Sequence, residues 1–117
     1  MSSYKELLVW QKSIQLVIDI YKLTKTFPKD EIYGLVSQMQ RAAVSIPSNV
    51  AEGNERNSKK EFIHFLHIAR GSLAELETQL VITKKLNYIN QNQSTQILNN
   101  CHEIGKMING LLIKLVN

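Results

Sequence analysis

Turn chemistry is confined to three short stretches of this chain, and between them apolar residues recur at spacings of three and four. That combination describes long amphipathic helices and little else. The chain has only two prolines and five glycines. A sheet domain would need more punctuation than that.

The first break is Thr26-Phe27-Pro28-Lys29-Asp30, where proline suits the first turn of a new helix. The second is Glu52-Gly53-Asn54-Glu55-Arg56-Asn57, opened by a glycine suited to a helix C-terminus. Directly behind it, Ser58-Lys59-Lys60-Glu61 reads as a capping box. The third is Asn87-Tyr88-Ile89-Asn90-Gln91-Asn92, with Asn90 or Asn92 as the N-cap. These breaks predict helices over about 5–26, 29–53, 58–86 and 92–115, each about 30–40 Å long. Short connections between such rods imply antiparallel neighbours. The expected fold is all-α, a single up-down-up-down four-helix bundle over residues 1–117. A chain of this length buries about two-thirds of its unfolded surface without metals or disulfides to staple it.

Three helices carry an apolar seam of bundle type. Helix 1 has Leu7, Trp10, Ile14, Val17 and Tyr21; helix 3 has Phe62, Leu66, Ala69, Leu73, Leu76 and Leu80. Helix 4 has Ile97, Cys101, Ile104, Ile108, Leu111 and Leu115. Helix 1 also carries a second stripe, Val9, Leu16, Ile20, Leu23 and Phe27, about 120° around the wheel from the first. Two readings fit this surplus. It widens the core face to cover two neighbouring helices, or it is an interface between subunits, as an exposed patch of that size would otherwise invite aggregation.

Helix 2 is unlike the others. It mixes small and polar residues, and Pro47 inside it is expected to kink or split the helix. Helix 3 answers with Ala69, Gly71, Ser72, Ala74, Glu75 and Gln79. An antiparallel hairpin turning near residue 56 pairs positions whose numbers sum to about 112–114. Gln38, Arg41, Ser45, Ser72 and Glu75 then meet in a hydrogen-bonded polar seam, with Asn49 on the same helix. A partly buried Arg41 needs an acceptor such as Glu75, because stranding either charge costs about 3–5 kcal/mol. The expected role is to set register. A ligand site and a contact between subunits are the alternatives.

The chemistry of known catalytic motifs is missing. Glu61-x-x-His64 is the only match to the paired motif of di-iron bundles, and Glu61 already serves a cap. His64 and His67 stand one turn apart on what reads as a solvated face, and His102 has no evident partner. Cys101 falls in the seam of helix 4, where a thiol acts as a small core residue. There is no phosphate-binding glycine loop and no Gly-x-Ser-x-Gly turn. The expectation is no enzyme, no metal and no cofactor. No stretch is long and apolar enough for a membrane, no export signal opens the chain, and one cysteine suits a reducing cytoplasm.

The net charge is +4, unevenly spread. Residues 1–29 carry five lysines against two acids, whereas residues 30–57 carry two arginines against four acids. Lys12, Lys22, Lys25 and Lys29 come from helix 1 and its turn, Arg56, Lys59 and Lys60 from the next turn, and Lys84 and Lys85 from the end of helix 3. Antiparallel packing returns Lys84 and Lys85 towards Lys25 and Lys29. Lysines can simply keep a helical surface soluble. In a ring of identical subunits the same charge becomes a field suited to the phosphates of RNA or DNA.

Several runs resemble one family. They are Leu7-x-Val9-Trp10-Gln11-Lys12 with Tyr21, and Phe27-Pro28-x-x-Glu31-x-Tyr33-Gly34-Leu35. To these add Gln38-x-x-Arg41-Ala42-Ala43-x-Ser45-Ile46-x-x-Asn49-x-Ala51-Glu52-Gly53 and Ala69-x-Gly71-Ser72-x-x-Glu75. Together they resemble the four-helix bundle proteins encoded in intervening sequences of bacterial 23S ribosomal RNA genes. The resemblance implies a small cytoplasmic bundle that assembles as a homopentamer, with no established catalytic activity. A similar group, the accessory variability proteins of diversity-generating retroelements, forms basic pentameric barrels that bind nucleic acid. The expected function is therefore a non-enzymatic oligomer that contacts RNA or DNA through basic surfaces. The rival expectation is a scaffold or accessory subunit that recognises another polypeptide.

Overall fold

Leu7 is extended, at φ −71° and ψ 126°, and the first α-helix starts only behind it. The structure, a computed structural model, describes residues 3–117; Met1 and Ser2 of the expected 1–117 domain lie outside the described residues. Among the described residues there are four α-helices and no strands: α1 (Leu8–Thr24), α2 (Ser37–Glu55), α3 (Lys59–Lys85) and α4 (Gln91–Val116). They form a four-helix bundle measuring 44 × 23 × 20 Å. None of these helices is long and apolar enough to cross a membrane.

The ends of the helices follow local chemistry, with some departures from expectation. Helix 1 was expected from about residue 5, but Tyr4–Glu6 is a separate 3-10 turn in which the Ser3 hydroxyl accepts from the Lys5 amide. The expected start of helix 2 at residue 29 dissolves into a 3-10 turn, Lys29–Glu31, and a π-helical turn, Ile32–Val36, broken at Gly34. Pro47 neither splits nor ends α2, which is helical on both sides of it. Its ring is buried in the core, and Asn49 adds a bond of 2.7 Å to the Ser45 carbonyl beside it. Packing offsets the missing backbone bond.

Gly53 is not the helix terminus either. Two residues further on α2 ends, and Asn57 at φ 58° makes the turn. Gly53 is instead a point of close approach, since a Cβ there would lie 2.7 Å from Phe65 Cβ. The box at Ser58 is half formed. The Ser58 hydroxyl accepts from the Glu61 amide at 3.3 Å, but the Glu61 carboxylate turns to Arg56. The complete box is at Asn90, which accepts from the Gln93 amide at 2.8 Å while Gln93 accepts from the Asn90 amide at 2.9 Å.

Of the two readings of helix 1, the wider core face holds. Val9, Leu16, Ile20, Leu23 and Phe27, the alternative subunit contact, are buried inside this one chain. Leu16 and Ile20 are 1% and 0% exposed, so they offer no surface to a partner. They pack with Met39, Ile46 and Val50 of α2, Leu66, Leu73, Leu76 and Leu80 of α3, and Ile97, Ile104 and Ile108 of α4 in one core. Ser13 and Thr24 flank that stripe and close their hydroxyls on the Val9 and Ile20 carbonyls at 2.7 and 2.9 Å. Small residues with internally satisfied hydroxyls let α2 come close. The other stripe is half-buried at the edge of the core, where Leu7, Trp10 and Val17 pack against it, and only its last member, Tyr21, is exposed.

Candidate functional site

The α2–α3 contact is the most extensive in the bundle, and its polar seam opens to solvent as a cleft of about 370 Å³. Gln38, Arg41, Ala42, Ser45, Ser72 and Glu75 line it. At its floor the Ser45 and Ser72 hydroxyls share a hydrogen bond of 2.8 Å, and the Asn49 amide donates to Ser45 Oγ at 2.9 Å. Ser45 and Ser72 sum to 117, about one helical turn beyond the expected register.

Arg41 and Glu75 sum to 116 and so line the same cleft. The expected bond to Glu75 does not form, and Arg41 stands exposed with no ion pair among the described residues. The partly buried guanidinium of the sequence reading is corrected accordingly: solvent, not Glu75, hydrates it. Glu75 instead accepts from Gln79 Nε2 at 3.4 Å. Gln79, named among the small and polar residues of helix 3 but not in the expected cluster, joins this seam. It is buried, and its Oε1 finds no partner. Its spacing of four from Glu75 on one helix face was the available signal.

The nine candidate basic residues separate into four places. Lys12 is held by Glu103 at 2.8 Å across the α1–α4 seam, so its charge is spent there. Lys22 lines a cleft with Asp19, Gln93 and Asn100. Arg56 is engaged three ways, at 2.7 Å from Glu52, at 3.5 Å from Glu61, and 5.1 Å above the Phe65 ring. Its hydrogen bond to Glu52 holds the guanidinium pKa above its usual range, and it clamps the α2–α3 turn. Lys12 and Arg56 thus have carboxylate partners within the chain while their side chains stay part-exposed. Lys59 and Lys60 remain exposed at the first turn of α3.

The remaining four share one pole. Tyr88 Oη donates to Glu31 Oε2 at 2.8 Å, and its ring lies 5.3 Å from that of Phe27. These contacts join the α1–α2 connection to the α3–α4 turn, which brings Lys25 and Lys29 to the same end as Lys84 and Lys85. None of the four forms an ion pair among the described residues. The same hydrogen bond raises the Tyr88 pKa, because ionising the phenol beside a carboxylate is unfavourable.

Other reactive groups are occupied or alone. Cys101 is fully buried, and desolvation pushes its thiol up to about 12. His67 Nδ1 meets Arg70 at 3.0 Å, and His102 sits 3.3 Å from Glu77. No group of three His, Cys, Asp or Glu side chains that could hold a metal gathers among the described residues.

The fold and these sites define the class: a small four-helix-bundle protein with a polar cleft along one face and unpaired cations at its ends. The chain belongs to the 23S rRNA-intervening sequence protein family, whose sequence model matches residues 5–110. It is similar to a crystal structure of a protein with unknown function from the S23 ribosomal protein family of Bacteroides thetaiotaomicron. That similarity has a TM-score of 0.83 at 27% identity and covers 90% of this chain and 95% of that one. No curated protein matches the sequence.

Proposed function

We propose that this chain is a non-enzymatic, cytoplasmic homo-oligomer whose basic end binds the backbone of RNA or DNA. The carrying observation is the pole where Lys25, Lys29, Lys84 and Lys85 stand without carboxylate partners. Four unneutralised ammonium groups at one end repel one another, and a polyanion relieves that repulsion while releasing counterions. The family is named for an intervening sequence of 23S rRNA, which supports taking RNA as the first ligand to test.

The helices are proposed to run antiparallel, up-down-up-down. Partners on neighbouring helices support this, because Arg70 reaches Asn109 while Glu77 reaches His102, one number rising as the other falls. Self-association is supported by the outer face of α1, where Ile18 and Tyr21 are 42% and 43% exposed beside half-buried Trp10, Ile14 and Val17. This face replaces Val9, Leu16, Ile20, Leu23 and Phe27 as the proposed subunit contact. A count of five copies follows the resemblance.

Titration of labelled RNA and DNA into the protein, with its mass measured in solution, tests the reading. Binding at about 50 mM salt that weakens steeply by about 200 mM supports it; absent or salt-insensitive binding removes it. A second reading, recognition of another polypeptide, is favoured by one observation. An apolar groove of about 260 Å³ between the ends of α1 and α4 is lined by Leu7, Leu8, Val9, Met107 and Leu111. Partner capture that survives nuclease treatment distinguishes it.

A further inference from the structure

Tyr33 is 96% exposed, the most open large side chain of the fold. It occupies the π-helical turn Ile32–Val36, where Gly34 at φ −111° and ψ −113° interrupts the helix. The other tyrosine of this pole, Tyr88, packs its ring on Phe27 and gives its hydroxyl to Glu31. Tyr33 has neither a ring partner nor a hydrogen bond among the described residues. The ring contributes nothing to the fold of this chain.

The segment that carries it is nevertheless held. Glu31 Oε1 accepts from the Leu35 amide at 3.3 Å, and Glu31 Oε2 accepts from Tyr88 at 2.8 Å. One carboxylate thus braces the turn from below and fastens it to the α3–α4 turn. A Cβ at position 34 would fall 2.8 Å from Glu31 Oε1, so glycine keeps that brace clear. Glu31 spends its charge inside the pole, which leaves Asp30 as the free acid against Lys25, Lys29, Lys84 and Lys85.

We propose that Tyr33 is a base-stacking platform for single-stranded nucleic acid, with Lys25, Lys29, Lys84 and Lys85 holding the sugar-phosphate backbone around it. The inference rests on the nucleic-acid reading above and specifies its ligand. An exposed phenol ring at the end of the bundle that carries these lysines offers a π-face to any unpaired base, and stacking tolerates all sequences. A duplex hides its base faces and would meet only the lysines. A polypeptide contact fits less well, since the centres of protein interfaces are depleted of charge.

The test uses a labelled single-stranded oligouridine and a duplex of equal length at low salt, with the wild-type protein, Tyr33→Ala, Tyr33→Phe and the Lys84→Gln/Lys85→Gln pair. Tyr33→Ala is expected to weaken the single strand about tenfold, leave the duplex unchanged and leave the mass in solution unchanged. Tyr33→Phe keeps the ring and is expected to bind like wild type. Equal single-strand binding by Tyr33→Ala, with loss in the lysine pair, overturns the stacking role and leaves the backbone reading standing. No binding of either probe by the wild type overturns both. A changed subunit count in Tyr33→Ala makes the ring a contact between copies and also overturns the proposal.

Discussion

The Tyr88 hydroxyl and the Glu31 carboxylate, 57 positions apart, meet at 2.8 Å and tie the two connections at one end of the bundle together. Without that bond, residues 29–36, which form no regular α-helix, would be fastened mainly through the Phe27 ring. Tyr88→Phe keeps the ring contact and removes the hydroxyl. It is expected to lower the melting temperature and to speed hydrogen exchange at residues 32–36, while exchange in α3 stays unchanged. Uniform loosening of the whole bundle would contradict the local role.

Inner and outer stripes of α1 make opposite predictions. Ile20 is fully buried, so Ile20→Ala is expected to cost about 2–5 kcal/mol in urea unfolding. Ile18, on the outer face, is 42% exposed, and Ile18→Lys is expected to change chain stability by no more than about 0.5 kcal/mol. Sedimentation of Ile18→Lys is expected to report smaller particles than wild type.

Gly53 tests the close approach of α2 and α3. Gly53→Ala places a methyl group 2.7 Å from Phe65 Cβ and 3.0 Å from Phe62 Cδ1. Overpacking at such a site costs about 1–3 kcal/mol, against the gain that alanine brings to an ordinary helix position. A stabilised variant would contradict the packing.

Alkaline pH is expected to destabilise the fold. Burial raises Cys101 to about 12, and its hydrogen bond to Glu31 raises Tyr88. Both groups bind protons more tightly when folded. Their contribution is therefore complete below the unfolded pKa values, about 8.5 and 10, and is lost as pH rises towards the folded ones. Thermal melts between pH 8 and 11 are expected to show falling stability, and the decline is expected to be shallower in Cys101→Ala. At neutral pH a thiol reagent is expected to label Cys101 only on unfolding.

Periodicity carried the four helices and the core of α3 and α4, because every third or fourth residue of a bundle helix must face inward. It could not choose between the stripes of α1, since the wheel gives the angle between them and not which one turns in. Ser13 and Thr24, small and buried, lie beside the inward stripe, and Tyr21 stays exposed. Arg41 was misplaced for a different reason. Arg41 and Glu75 face one cleft open enough for solvent to reach both, and the spacing of positions along the two helices does not give that width. The openness of Tyr33 depends on the helix interruption at Gly34, where the Pro28 turn and the glycine marked a break without its geometry.

The number of counterions released at the lysine pole is the most direct measure of the proposed function. Single-stranded RNA affinity, followed from low to raised salt, is expected to fall with a log-log slope of about −3 if all four lysines engage one strand. Lys84→Gln/Lys85→Gln is expected to reduce that slope by about 1.4. A wild-type protein that binds no RNA, or a variant whose slope equals the wild-type value, would contradict the assignment of this pole to nucleic acid.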